Sequence, residues 1–185
     1  MVATAFFAGC GERKNYDNQS KNKEDQNAAI DSKQGKKAEE IFTLKKGSFV
    51  IPDGWKLHEG DSTDEKPFVV PADYNGEGNP DNISVNYGTN PYSKEDVDTF
   101  SHAILAQLRN QLAGHDAGAV AASGYTSKQG YPVLKFAFTV DGSNVVQYYI
   151  VNDHGHILVN ESNYSGQTES SNTASQSIVD SFKWK

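Results

Sequence analysis

Between residues 131 and 163 the chain carries three runs, YPVLKFAFTV, NVVQYYIV and HILVNESN, divided by Asp141-Gly142 and His154-Gly155. Tyr, Phe, Val and Ile are the residues strands prefer, and both dipeptides are tight-turn signals. The stretch therefore predicts a three-stranded antiparallel meander. Side chains alternate across a strand, so Leu134, Phe136, Phe138 and Val140 share one face while Val133, Lys135, Ala137 and Thr139 share the other. Tyr148 and Tyr149 must likewise point to opposite faces. A sheet with an apolar face needs a layer to cover it.

Two segments can supply that layer. Val97, Phe100, Ile104, Leu108 and Leu112 recur at helical spacing, with Ser93 as N-cap, Asp96 completing a capping-box-like pair and Gly114 as the stop. After a polar loop at 165–175, Thr173 and Gln176 can cap a final helix carrying Ala174, Ile178 and Phe182 on one side. The chain then ends at 182–184 as the helix end or as a short strand. One helix on each face makes the meander scaffold rather than working surface. Upstream, residues 49–55 predict a strand, a Pro52-Asp53-Gly54 turn and a return strand starting at Trp55 and Leu57. Residues 68–70 form a short apolar run, Ile83 to Tyr87 alternate as a half-buried strand, and 119–126 read as a weak strand.

This order resembles the PsbP/Mog1-like α/β/α sandwich over residues 42–185. The resemblance rests on Phe49-Val50-Ile51-Pro52-Asp53-Gly54-Trp55, the helix of 93–113 and the closing Ile178-Val179-Asp180-Ser181-Phe182. It implies an α+β domain, an antiparallel sheet with helices packed on its faces. The family includes extrinsic photosystem subunits, a Ran-binding nuclear protein and many bacterial lipoproteins of unknown role. No catalytic motif defines it, so the resemblance implies a non-enzymatic binding or accessory role.

The chain's single cysteine, Cys10, ends the apolar run of residues 2–10, and a polar stretch follows at once. Phe7-Ala8-Gly9-Cys10 resembles the bacterial lipobox, with Phe in place of the usual Leu at the first position. Cys10 is thus expected to carry lipid and to anchor the protein to the bacterial membrane from outside the cytoplasm. Only Met1 precedes the apolar run, so a longer leader with a basic start is expected. Residues 11–41 hold seven basic and seven acidic side chains and almost no large apolar ones. Such a segment cannot bury enough surface to fold, and extended it could reach on the order of 100 Å as a tether. With no second cysteine there is no disulfide framework. No run approaches the roughly 18 apolar residues of a membrane span.

The whole net charge of −7 falls on residues 42–185. An acidic domain without a basic face is a poor partner for nucleic acid, whose binding rests on neutralising phosphates. Asp73, Asn75, Glu77 and Gly78, followed by Asp81, mimic the start of an EF-hand loop and make calcium the one cofactor to consider. Yet Pro80 stands at position 8 and Ser84 at position 12, where a bidentate Glu belongs, and an acidic turn has the same composition. His154 and His156, with Asp153, could present two imidazoles, although no third ligand can be named. Glu161 and Asp141 are imaginable as paired carboxylates. No G-x-S-x-G elbow, P-loop or dinucleotide fingerprint is present. The expected function is that of a surface lipoprotein binding a protein or envelope component. A secreted hydrolase or carbohydrate-active enzyme, or a calcium-stabilised module, are the alternatives. The expected contact surfaces are Asp141-Gly142, Asp153 to His156 and the 73–82 loop.

Overall fold

The computed structural model describes residues 39–185; Cys10 and residues 11–38 of the expected tether lie outside the described residues. The meander forms as expected, with β7 (Pro132–Val140), β8 (Ser143–Asn152) and β9 (Gly155–Asn163) joined in antiparallel register. Its first turn has positive φ at both Asp141 (49°) and Gly142 (79°), the conformation a tight hairpin turn needs. The second turn works differently. His154 takes the left-handed conformation at 55°, while Gly155 already lies in the strand, where a Cβ would come within 2.9 Å of the Tyr87 ring. Glycine is there for close approach, not for the turn.

The sheet extends on both sides of the meander. With β3 (Trp55–Leu57), β4 (Phe68–Pro71), β5 (Asn82–Thr89) and β6 (Ala121–Thr126), it has seven antiparallel strands in the order β3-β4-β5-β9-β8-β7-β6. The first helix, α1 (Val97–Leu112), covers one face through buried Phe100, Ile104 and Leu108. Phe100 meets Tyr149 edge-on at 5.9 Å, and Tyr149 in turn meets Phe136 at 5.7 Å. The second helix, α2 (Thr168–Ser181), covers the other face with Ala174, Ile178 and Val179, over a core that includes Val133, Tyr148, Ile150 and Val159. The two tyrosines thus face opposite layers, and the expected α+β sandwich is the observed architecture.

Three local expectations are corrected. The strand β2 (Gly47–Val50) does not pair with Trp55 and Leu57. It sits instead in a separate three-stranded sheet between β1 (Ile41–Leu44) and the short terminal strand β10 (Lys183–Trp184). The Pro52-Asp53-Gly54 turn, with Gly54 at φ 78°, passes the chain from the small sheet to the edge of the large one. Helix α2 starts at Thr168, so much of the expected polar loop is helical. Its inward face there is built from Ser171 and Ser175, both fully buried against polar sheet residues, and an apolar stripe cannot reveal such a face. The Ser93 hydroxyl donates to the Asp96 carboxylate at 2.8 Å rather than capping a backbone N–H, and a 3₁₀ turn at Lys94–Asp96 precedes α1. The cap comes from Asp153, whose Oδ1 accepts from Lys94 N at 3.1 Å.

Candidate binding groove along the C-terminal helix

The α2 face of the sheet is not uniformly apolar. Cross-strand register places Ser123, Lys135, Tyr148 and Val159 in one row, and Ala137, Val146, Glu161 and Ile83 in the next. Lys135 lays its ammonium over the Tyr148 ring, 5.1 Å from the centroid, a cation–π arrangement. Glu161, 1% exposed, accepts a 2.6 Å hydrogen bond from the Ser175 hydroxyl of α2. Burial pushes its carboxyl up to about 7, and the Asp81 charge adds to the rise; the Ser175 bond and the Lys135 charge oppose both without overcoming them.

Around this pair the helix and the sheet edge exchange further polar contacts. Tyr125 and Gln176 bond side chain to side chain at 2.9–3.1 Å, and burial raises the Tyr125 phenol to about 12. Lys128 pairs with Asp180 at 3.1 Å, and Gln129 donates to the Asp180 carbonyl. Between these elements and β2 runs a groove of about 1010 Å³, open to solvent along its length, with Lys135, Tyr148, Asn172 and Gln176 among its walls. Two polar atoms buried there, the Tyr148 hydroxyl and Asn172 Oδ1, have no hydrogen-bond partner among the described residues.

On the opposite face His156, 2% exposed, packs its ring against Phe100 at 5.3 Å and Tyr149 at 5.2 Å, with the Asn90 amide 3.4 Å from Nδ1. Burial pulls its imidazole down to about 4, so it is neutral at physiological pH. His154 is exposed on its turn, and its backbone bonds to Tyr92 and Asn90. Asp153 is spent on capping Lys94. The three residues expected to bind together are therefore dispersed, each with its own structural task.

The acidic loop is dispersed in the same way. Asn75 Oδ1 accepts from Glu77 N within a local turn, and Asp73 and Glu77 are exposed. Asp81 turns inward, where its carboxylate accepts from Tyr164 N, Ser165 N, the Ser165 hydroxyl and the Asn163 amide. Among the described residues no three His, Cys, Asp or Glu side chains gather where they could hold a metal ion. Nor do Glu161 and Asp141 share a partner: Asp141 is exposed and bonds His115 Nδ1 at 2.9 Å.

The sequence points to Tyr148, Glu161 and Gln176 separately, as a face residue, a candidate carboxylate and a helix cap, and not as parts of one groove. The available signal was parity: Lys135 lies on the partly apolar face of its strand, and counting through two hairpins brings Tyr148 and Glu161 onto that same face.

No protein-family model matches the chain, and no curated protein matches it in sequence. Among solved structures it is similar to the solution structure of cyanobacterial PsbP (CyanoP) from Synechocystis sp. PCC 6803. That match has a TM-score of 0.51 and 14% identity, over 84% of this chain and 98% of the other. The fold is PsbP-like. The crystal structure of LpqN, involved in cell envelope biogenesis of Mycobacterium tuberculosis, matches at a TM-score of 0.48 and 15% identity, over 81% of this chain and 87% of the other. At these identities the PsbP-like likeness is one of fold. The groove is described from this chain's own residues.

Proposed function

We propose that this protein is a non-enzymatic bacterial lipoprotein, held outside the cytoplasm by lipid on Cys10, whose PsbP-like domain binds a protein or envelope component in an accessory role. One observation carries the non-catalytic part. Glu161 and His156, the carboxyl and imidazole whose protonation is shifted towards neutrality, lie on opposite faces of the sheet, each sealed beneath a helix. General acid–base chemistry needs such groups within hydrogen-bond reach of one substrate, and a seven-stranded sheet separates these two. What solvent can reach is a long groove of amides, hydroxyls and mixed charge along α2, a surface suited to recognition.

The anchor rests on the Phe7-Ala8-Gly9-Cys10 pattern and on the absence, among the described residues, of any helix long and apolar enough to cross a membrane. The test is to express the full chain in a bacterial host, fractionate the cells and measure the mass of the mature N-terminus. A diacylglyceryl-Cys10 in the membrane fraction, lost in Cys10→Ala, is the expected result. An unmodified Cys10 in the mature protein would overturn the anchor. For the binding role, capture from the native envelope should depend on groove residues such as Gln176; capture indifferent to them, or turnover of an envelope polymer by the pure protein, would overturn it.

A further inference from the structure

The Lys135 end of the groove holds a combination that its structural surroundings do not use up. Lys135 is half-buried and has no ion-pair partner among the described residues; its charge acts on Glu161 in the next row, whose Oε2 accepts from Ser175. Lys128, by contrast, is already matched by Asp180. Beneath the Lys135 ammonium lies Tyr148, fully buried, with its hydroxyl bonded to nothing. Asn172, also on the groove wall, has an Oδ1 that is equally enclosed and equally unbonded. A buried donor or acceptor without a partner carries a desolvation cost. Two such atoms and an unpaired cation on the walls of one groove of about 1010 Å³ are the complement of a small polar anion.

The charge balance narrows the class. Lys128, Lys135 and Lys183 line the groove together with Glu39, Glu169 and Asp180, and Lys128 is matched by Asp180. Glu39 and Glu169 weigh against a dianion such as phosphate, and Lys135 calls for one negative charge. Lys135 and the Tyr148 O–H are donors, suited to the two oxygens of a carboxylate. Asn172 Oδ1 is an acceptor, suited to an O–H or N–H beside that carboxylate.

We propose that the Lys135 end of the α2 groove binds a small monocarboxylate bearing a neighbouring hydroxyl or amide N–H, with Lys135, Tyr148 and Asn172 as its ligands. This deepens the non-enzymatic binding reading above, on which it rests. The test follows the full chain by NMR during titration with lactate, with inorganic phosphate as competitor. Lactate should give saturable shifts centred on residues 135, 148 and 172. Tyr148→Phe, which removes only an unbonded hydroxyl and should fold normally, should weaken lactate by about 3–10-fold. Lys135→Met should weaken it by about 10–100-fold. The site is overturned if the shifts spread over exposed lysines, if Tyr148→Phe binds like the parent, or if phosphate displaces lactate. Loss of lactate binding with envelope capture intact would sink this inference alone. Lactate binding without envelope capture would sink only the accessory reading.

Discussion

Ser175 Oγ reaches Glu161 Oε2 across 2.6 Å, so the middle of α2 is fastened to the sheet by a hydrogen bond to a buried carboxyl. That carboxyl titrates near 7 in the folded protein, against 4.5 for a free glutamate. Between those two values the folded state keeps a proton that the unfolded state has lost. The stabilisation from Glu161 is therefore complete below about 4.5 and declines as pH rises towards about 7, by roughly 3 kcal/mol in all. Glu161→Gln keeps an acceptor for Ser175 and removes the titration. Denaturant unfolding should find the variant as stable as the parent near pH 4.5 and more stable at pH 8. Equal pH profiles for the two proteins would refute the buried-carboxyl account.

His156 works in the opposite sense. Its folded value near 4 lies below the ordinary 6.5, so the unfolded state takes up a proton first. The stability it contributes is present above about 6.5 and is lost as pH falls towards about 4, again by roughly 3 kcal/mol. Over the shared window, from about 4.5 to about 6.5, the two slopes cancel. The parent should thus show a muted pH dependence there, which either single substitution unmasks. His156→Asn should destabilise with rising pH and Glu161→Gln with falling pH, read as unfolding free energies at half-unit intervals. If both variants parallel the parent, the compensation does not exist.

The pattern that predicted the sheet is local: alternation within each run and Asp141-Gly142 between the first two. It placed Leu134 and Lys135, and Tyr148 and Tyr149, on the correct opposing faces. It could not place the small sheet, because the pairing of Lys183 with Ser48 joins the two ends of the domain and leaves no periodic trace. Nor could it start α2 at Thr168, since Ser171 and Ser175 read as loop residues until Glu161 and Asn163 are seen beneath them. The groove escaped for a related reason. Lys135, Tyr148 and Asn172 are unremarkable singly, and only three-dimensional register makes them neighbours. His154 and His156 looked like a pair because they are close in sequence, yet strand alternation and the turn at 153–154 send them to different environments.

That non-local strand pairing can be tested at Gly47. A Cβ there would lie 2.3 Å from Phe182 Cζ and 2.5 Å from the Lys183 carbonyl oxygen. Phe182 is fully buried and the carbonyl is backbone, so neither can retreat cheaply. Gly47→Ala should destabilise the domain by about 2 kcal/mol, as overpacking of a filled site does. Gly124→Ala on exposed β6, where the closest atoms stand at 3.7 and 3.8 Å, should be nearly neutral. Thermal melts of the two variants decide the matter, and equal melting temperatures would place β10 elsewhere.

Asp81 offers the sharpest test of what the acidic loop is for. Its two oxygens accept from two backbone N–H groups, a serine hydroxyl and the Asn163 amide, which together fix residues 163–165 at the entry to α2. Hydrogen bonds to a charged acceptor are worth more than neutral ones, and removing the acceptor leaves buried donors unpaired. Asp81→Ala should therefore cost about 3 kcal/mol, whereas Asp73→Ala and Glu77→Ala, both at exposed positions, should stay within about 0.5 kcal/mol of the parent. A carboxylate already engaged by four donors, with its sequence neighbours turned to solvent, has little left for a cation. Millimolar calcium is accordingly expected to leave the melting temperature of the full chain unchanged. A rise with calcium that disappears in Asp73→Ala would restore the loop as a metal site and reassign Asp81 from anchor to ligand.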